Sequence, residues 1–165
     1  MYMHLFRLFL VEYIFLEKVM CRNIYKKRRW QTMYLSMLSN EKKHLFLNLE
    51  IYMSMVDGEF SESEKRIIDS HCLEMHIDNN NYEMDIPQDE VFKSLQESLT
   101  CEEQRIVFLE LVATIMADDI FHKDEKRLVG RLADIFDIDE KGVEEAFSII
   151  NDMKKVYERC SNYIK

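Results

Sequence analysis

One stretch of this sequence occurs twice, and that duplication restricts the available folds more than any other feature. Val56 to Ile68, VDGEFSESEKRII, returns sixty-one residues later as Ala117 to Val129, ADDIFHKDEKRLV. Asp57, Phe60, Glu64, Lys65 and Arg66 align without a gap on Asp118, Phe121, Glu125, Lys126 and Arg127. The same offset sets Glu41 over Glu102, Met55 over Met116, Ile77 over Ile138 and Asp78 over Asp139. A chance likeness would lose register over that span. The pattern therefore predicts two copies of one supersecondary unit, each a helix, a short acidic turn and a second helix.

With only three Gly and one Pro in 165 residues, reversals are few and the elements between them long. Apolar residues make up 47% of the chain, enough to bury one core without disulfide or metal staples. Leu, Ile, Met, Glu and Lys outnumber the β-branched and turn residues that a sheet would need. The expected fold is all-α: a helical bundle of two pseudo-symmetric helix-turn-helix repeats over residues 33–165, preceded by an apolar and basic N-terminal helical leader, residues 1–32.

The formal net charge of −9 argues against a general affinity for nucleic acid, which needs clustered Lys and Arg to displace phosphate counterions. Charge is unevenly spread. Residues 1–31 carry Arg7, Lys18, Arg22, Lys26, Lys27, Arg28 and Arg29 against Glu12 and Glu17, a net of +5, which leaves −14 on the remainder. The four cysteines, Cys21, Cys72, Cys101 and Cys160, lie far apart with no C-x-x-C, the usage of a reducing cytosol.

The leader is the most apolar stretch, but Arg7, Glu12, Glu17 and Lys18 interrupt it before the roughly eighteen uncharged residues that a spanning helix needs. It has no early basic region, unbroken apolar core or small-residue cleavage site, so it is a poor secretory signal. Three readings stay open: a helix docked on the domain, an interfacial membrane helix followed by the basic tract CRNIYKKRRWQ, or residues translated from a start codon upstream of the real one. The expected placement is cytoplasmic, either free or at a membrane surface through residues 1–31.

In the body, Ser39 offers an N-cap with Glu41 in the first turn behind it, and Leu45, Leu49, Tyr52, Met53 and Val56 trace one buried stripe. Gly58 helps the chain turn. Ser61 opens the next helix, whose inner face is Ile67, Ile68, Cys72 and Met75. The polar linker DNNNYEMDIPQD joins the repeats, and a helix with Val91, Phe92, Leu95 and Leu99 inward follows. Thr100 and Glu103 form a capping box before a helix that, apart from Glu110 and Thr114, is apolar all round from Ile106 to Ala117. Such a helix needs cover on every side and is expected at the centre of the bundle. Asp139 caps the last helix, with Val143, Ala146, Phe147, Ile150, Met153 and Tyr157 as its stripe.

In each repeat an Asp closes one helix and a Glu seven residues on lies in the first turn of the next. Were the two turns to meet, Asp57, Glu64, Asp118 and Glu125 would offer hard oxygen ligands to Ca²⁺ or Mg²⁺, although the EF-hand spacing is missing. The competing account is local. Ser61-x-x-Glu64 is itself a capping box, first-turn carboxylates complement the helix dipole, and Lys65, Arg66, Lys126 and Arg127 are ready ion-pair partners.

DGEFSESEKRII paired with ADDIFHKDEKRLVGRLADIFDID, each preceded by an apolar helix, resembles the tellurite-resistance TerB family over roughly residues 33–160. The resemblance implies a bundle of two related halves, also found in the N-terminal domain of DnaJ-like membrane co-chaperones. It further implies a bacterial, non-enzymatic module with protein partners in tellurite or envelope-stress assemblies near the inner membrane. By the same resemblance a metal ion is expected at the acidic turns, with Asp57, Glu64, Asp118 and Glu125 as its ligands. The second turn departs from the first, with Asp119 in place of Gly58 and His122 in place of Ser61.

Signatures of catalysis are missing: there is no phosphate loop, G-x-S-x-G elbow or H-E-x-x-H. Cys72 and His76 have the spacing of a helical metal pair, with His71 adjoining, but no further Cys-His cluster completes a zinc site, which favours a packed Cys with surface histidines. Eleven methionines, among them Met33, Met37, Met53, Met55, Met75 and Met116, either fill the core or line a groove for a partner helix. In that second reading the domain is a structural adaptor whose acidic turns only cap helices.

Overall fold

The computed structural model describes residues 34–55, 62–78, 82–116 and 123–164. Among them are a 3-10 turn, Leu35–Met37, and six α-helices, with no strand: α1 Asn40–Met55, α2 Glu62–Met75, α3 Gln88–Ser98, α4 Cys101–Met116, α5 Lys123–Ile135 and α6 Glu140–Ile164. Regular structure among the described residues is all-helical, in line with the composition. The leader, residues 1–32, lies outside the described residues. So do the two acidic turns, with Asp57, Ser61, Asp118 and His122.

Two helices form the interior. In α4, Val107, Phe108 and Glu110 to Ala113 are buried and Ile106 and Leu109 are partly covered, so the all-round apolar helix does sit at the centre. The other, α1, departs from the single stripe read from its sequence: every residue from Leu45 to Ile51 is buried, Asn48 and Glu50 included. Neighbours on several sides explain this. α1 packs on α2 and α3, α4 packs on α5 and α6, and the 3-10 turn rests on both α2 and α4. The remaining helices are amphipathic and bury one face, Val91, Phe92 and Leu95 on α3 and Leu128, Val129, Leu132 and Ala133 on α5.

Helix ends are set by local chemistry. Thr100 N–H donates to Glu103 Oε2 at 2.9 Å and Glu103 N–H donates back to Thr100 Oγ1 at 3.3 Å, closing the capping box at α4. Asp139 Oδ1 accepts from Gly142 N–H at 2.8 Å at the start of α6. After α2, His76 takes φ 54° while Ile77 N–H reaches Cys72 O at 3.1 Å; after α5, Asp137 takes φ 52° while Ile138 N–H reaches Ala133 O at 2.9 Å. Both are Schellman closures with a non-Gly residue in the left-handed position. They stand sixty-one residues apart, as do the starts of α1 and α4 and of α2 and α5.

Asn48 fastens the linker to α1. Its Nδ2 donates to His44 O at 2.9 Å and to Asp85 Oδ1 at 2.7 Å, while its Oδ1 accepts from the N–H groups of Asp85 and Ile86, each at 3.1 Å. That is the full capacity of an amide side chain, which is why Asn is tolerated with no exposed surface in mid-helix. Pro87 then precedes α3, its carbonyl accepting from Glu90 and Val91 N–H. Polar contacts also tie the helices of the first half to those of the second. Lys42 Nζ donates to both Glu103 oxygens at 2.7 and 2.6 Å, and the Arg131 guanidinium lies 3.6 Å from the centre of the Phe92 ring.

Candidate functional site

Of the four acidic-turn ligands expected from sequence, only Glu64 and Glu125 fall in the described residues. Each is the third residue of its helix, α2 or α5, and each is half-buried. Both positions suit a carboxylate for electrostatic reasons alone, since unpaired N–H groups and the positive end of the helix dipole lie there. The neighbouring bases make local pairs: Lys65 with Glu62 at 2.7 Å and Arg127 with Asp124 at 3.0 Å. Lys65 holds the exposed Glu62 carboxyl below the ordinary carboxylate range. Exposed i,i+3 pairs of this kind add little stability. Asp57 and Asp118 lie outside the described residues, so the four carboxylates are not seen together.

A second cluster of acids lies in the core. Glu50 on α1 and Glu110 on α4 are 1% and 0% exposed, and His71 on α2 is 3% exposed. Glu50 Oε1 stands 2.5 Å from His71 Nδ1, and the His71 ring meets Phe46 edge-on at 5.9 Å. His71 is therefore not the surface residue expected beside Cys72, whereas His76 is exposed. The reason is the phase of α2: His71 shares the inward face with Ile67, Ile68, Cys72 and Met75. Glu74, one turn on, is half-buried and comes up beneath the 3-10 turn.

That turn closes over the cluster. Tyr34 N–H donates to Glu110 Oε1 and Leu35 N–H to Glu74 Oε1, both at 3.0 Å. Leu35 and Leu38 are buried, so the turn is held by apolar packing as well as by the carboxylates. The second oxygens of Glu50 and Glu110 are buried and have no hydrogen-bond partner in the structure.

Electrostatics follow from this crowding. Burial, with Glu74 and Glu50 adding to it, pushes the Glu110 carboxyl up to about 8, against the Tyr34 N–H and His71, which act to lower it. Burial also raises Glu74, while His71 and the backbone N–H groups of Leu35 and Ser36 oppose the rise. For His71 burial acts downward, but Glu50, with Glu110 and Glu74 behind it, outweighs burial and raises the imidazole above its ordinary value. Near neutral pH the cluster thus holds a largely protonated Glu110, and the His71 imidazole beside Glu50 keeps its proton to higher pH than an ordinary histidine. Burial pushes the Cys72 thiol up to about 12.

Among the described residues no group of three or more His, Cys, Asp or Glu is disposed to hold a metal ion, and no helix is long and apolar enough to cross a membrane. Most of the described methionines singled out from sequence belong to the core: Met75 is fully buried, and Met53 and Met116 pack against it. Met37 and Met55 are exposed, at 60% and 46%. Compared with known proteins, the chain matches no family model, no curated protein and no solved structure.

Proposed function

We propose that this chain is a non-enzymatic, TerB-like module built from two related halves, which binds Ca²⁺ or Mg²⁺ through Asp57, Glu64, Asp118 and Glu125. It works through protein partners in a bacterial tellurite or envelope-stress assembly at or near the inner membrane. The observation that carries this reading is the recurrence, at one sixty-one-residue offset, of helix starts and Schellman closures as well as of the acidic sequence. Glu64 and Glu125 then hold equivalent places in equivalent helices. Lys42 bonding to Glu103, its own counterpart at that offset, fits a pseudo-twofold axis passing close by, as a residue touching its equivalent does at any twofold contact. Two equivalent turns related by such an axis would supply oxygen ligands in matched pairs, the donor set that hard cations prefer.

Titration calorimetry of the full chain with Ca²⁺, Mg²⁺ and Zn²⁺ tests this. The expected result is binding of Ca²⁺ or Mg²⁺ that is lost in Asp57→Ala and in Glu125→Ala. No heat with any ion defeats the cation site and leaves the adaptor reading. One specific observation favours that second reading: Tyr34 and Met37 on the 3-10 turn, and Leu73 on the α2 helix against which the turn packs, are exposed apolar side chains.

A further inference from the structure

The acidic turns make no use of the most costly feature of the interior, three carboxyl groups and an imidazole gathered from α1, α2 and α4 under a lid of five residues. Such groups are expensive to bury unless each is paired or neutralised. Glu50 is paired with His71. Glu74 and Glu110 are instead capped by backbone N–H groups of the lid, and one oxygen on each of Glu50 and Glu110 is left without a partner. The lid is therefore seated on groups whose charge is the least tolerable in the molecule.

We propose that the Glu50–His71–Glu74–Glu110 cluster is a proton-operated latch: while it holds its protons, Tyr34–Leu38 stays seated, and when it loses them the segment lifts so that water reaches the carboxylates. The groups that act most strongly on Glu110 are Glu74 and His71 from α2 and Glu50 from α1, with the Tyr34 N–H from the lid. The lid itself brings no titratable side chain onto the cluster, because Leu35 and Leu38 point inward and the Tyr34 ring is 42% exposed. Cys72, next to His71, keeps its proton throughout the range concerned. Deprotonation of Glu110 thus adds negative charge beside Glu74 and Glu50, offset by the Tyr34 N–H and His71. Ionisation strengthens the single bond from Tyr34, but it also puts charge on a second buried oxygen that has no protein partner. Lifting the lid relieves that second effect, at the expense of exposing two leucines.

Hydrogen exchange of the full chain, labelled at pH 6, 7, 8 and 9 and corrected for the intrinsic pH dependence of amide exchange, reads the latch directly. If opening returns Glu110 from about 8 to its ordinary 4.5, the opening equilibrium rises by up to roughly ninetyfold between pH 6 and 9. The expected result is at least a tenfold loss of protection in peptides covering residues 34–38, while the Leu45–Ile51 peptides of α1 stay protected. In Glu110→Gln the loss shrinks to less than threefold, with Glu74→Gln as a second variant should the first fold poorly, and helicity checked by circular dichroism at each pH. Unchanged protection in the wild type overturns the proposal. So does equal loss in α1, which would mean global unfolding, and so does an undiminished pH response in both variants. A third arm adds Mg²⁺, Mn²⁺ or Zn²⁺. If any of these abolishes the pH response in the wild type but not in Glu110→Gln, the cluster is a cation site and the latch is overturned.

Discussion

Replacing Glu110 by Gln should flatten the pH dependence of stability. Glu110 is wholly buried in the native chain and its carboxyl is pushed from 4.5 up to about 8. Between those values the folded protein keeps a proton that the unfolded chain has released, so folding stability falls as pH rises. The contribution is fully present below pH 4.5, declines through neutrality, and is exhausted above about pH 8. At about 1.4 kcal/mol per pH unit over some 3.5 units, the ceiling is about 5 kcal/mol. This is a large share of the ~5–15 kcal/mol by which domains are stable. Raised values at His71 and Glu74 act in the same direction, so the wild type should weaken from pH 5 to 8, the reverse of the usual acid lability. Gln preserves volume and an oxygen for the Tyr34 N–H but carries no ionisable proton. Urea unfolding followed by circular dichroism at pH 5, 6, 7 and 8 measures the effect. The wild-type midpoint should drop steadily, and Glu110→Gln should gain about 2–4 kcal/mol relative to it between pH 5 and 8. Parallel curves for the two proteins, or a wild type that strengthens over this range, would refute the argument.

Three further outcomes are expected. Asn48→Ala removes the acceptor for two backbone N–H groups and a donor to Asp85, and should cost about 2–4 kcal/mol in the same urea experiment, since each orphaned buried group costs about 1–3 kcal/mol. Gly130→Ala, with nothing within 4 Å of the added methyl on the exposed face of α5, should stabilise by about 1 kcal/mol, whereas Gly142→Ala meets Ile138 Cγ2 at 2.8 Å and should destabilise; thermal melts of the pair separate the two. Iodoacetamide at pH 8 followed by peptide mapping should modify the exposed Cys101 and Cys160 while the buried Cys72, with its thiol pushed up to about 12, stays unmodified until the protein is unfolded.

How far the sequence foretells this structure depends on whether the deciding interactions are local. The Thr100–Glu103 box, the Asp139 cap and the stripes of α3 and α6 are set within a few residues, and each appears where periodicity and capping place it. Burial of α1 is not local. Leu45 to Ile51 reads as a striped surface helix because Asn48 and Glu50 look like its wet side, yet Asp85 and Ile86 satisfy the first and His71 the second. The same holds for His71 itself, whose partner is twenty-one residues away. One signal was available: the run from Ile106 to Ala117, which needs cover on every side, carries a single glutamate, Glu110, and a carboxylate there has nowhere wet to go. The acidic turns, in contrast, stand out in the sequence, but two of their four carboxylates lie outside the described residues.

The Asn48 tie bears on the order in which the chain can assemble. Every atom in it precedes α4 in the chain, as do both ends of the adjoining bond in which the Tyr82 hydroxyl donates to Asp69 at 2.7 Å. As the polypeptide leaves the ribosome, α1, α2 and α3 can thus be stapled to one another before any of the second repeat is available. What that early half lacks is α4, whose Glu110 takes the Tyr34 N–H and acts electrostatically on His71. The later helix arrives as a wedge into a preformed seat and carries its own acid, Glu110, into it.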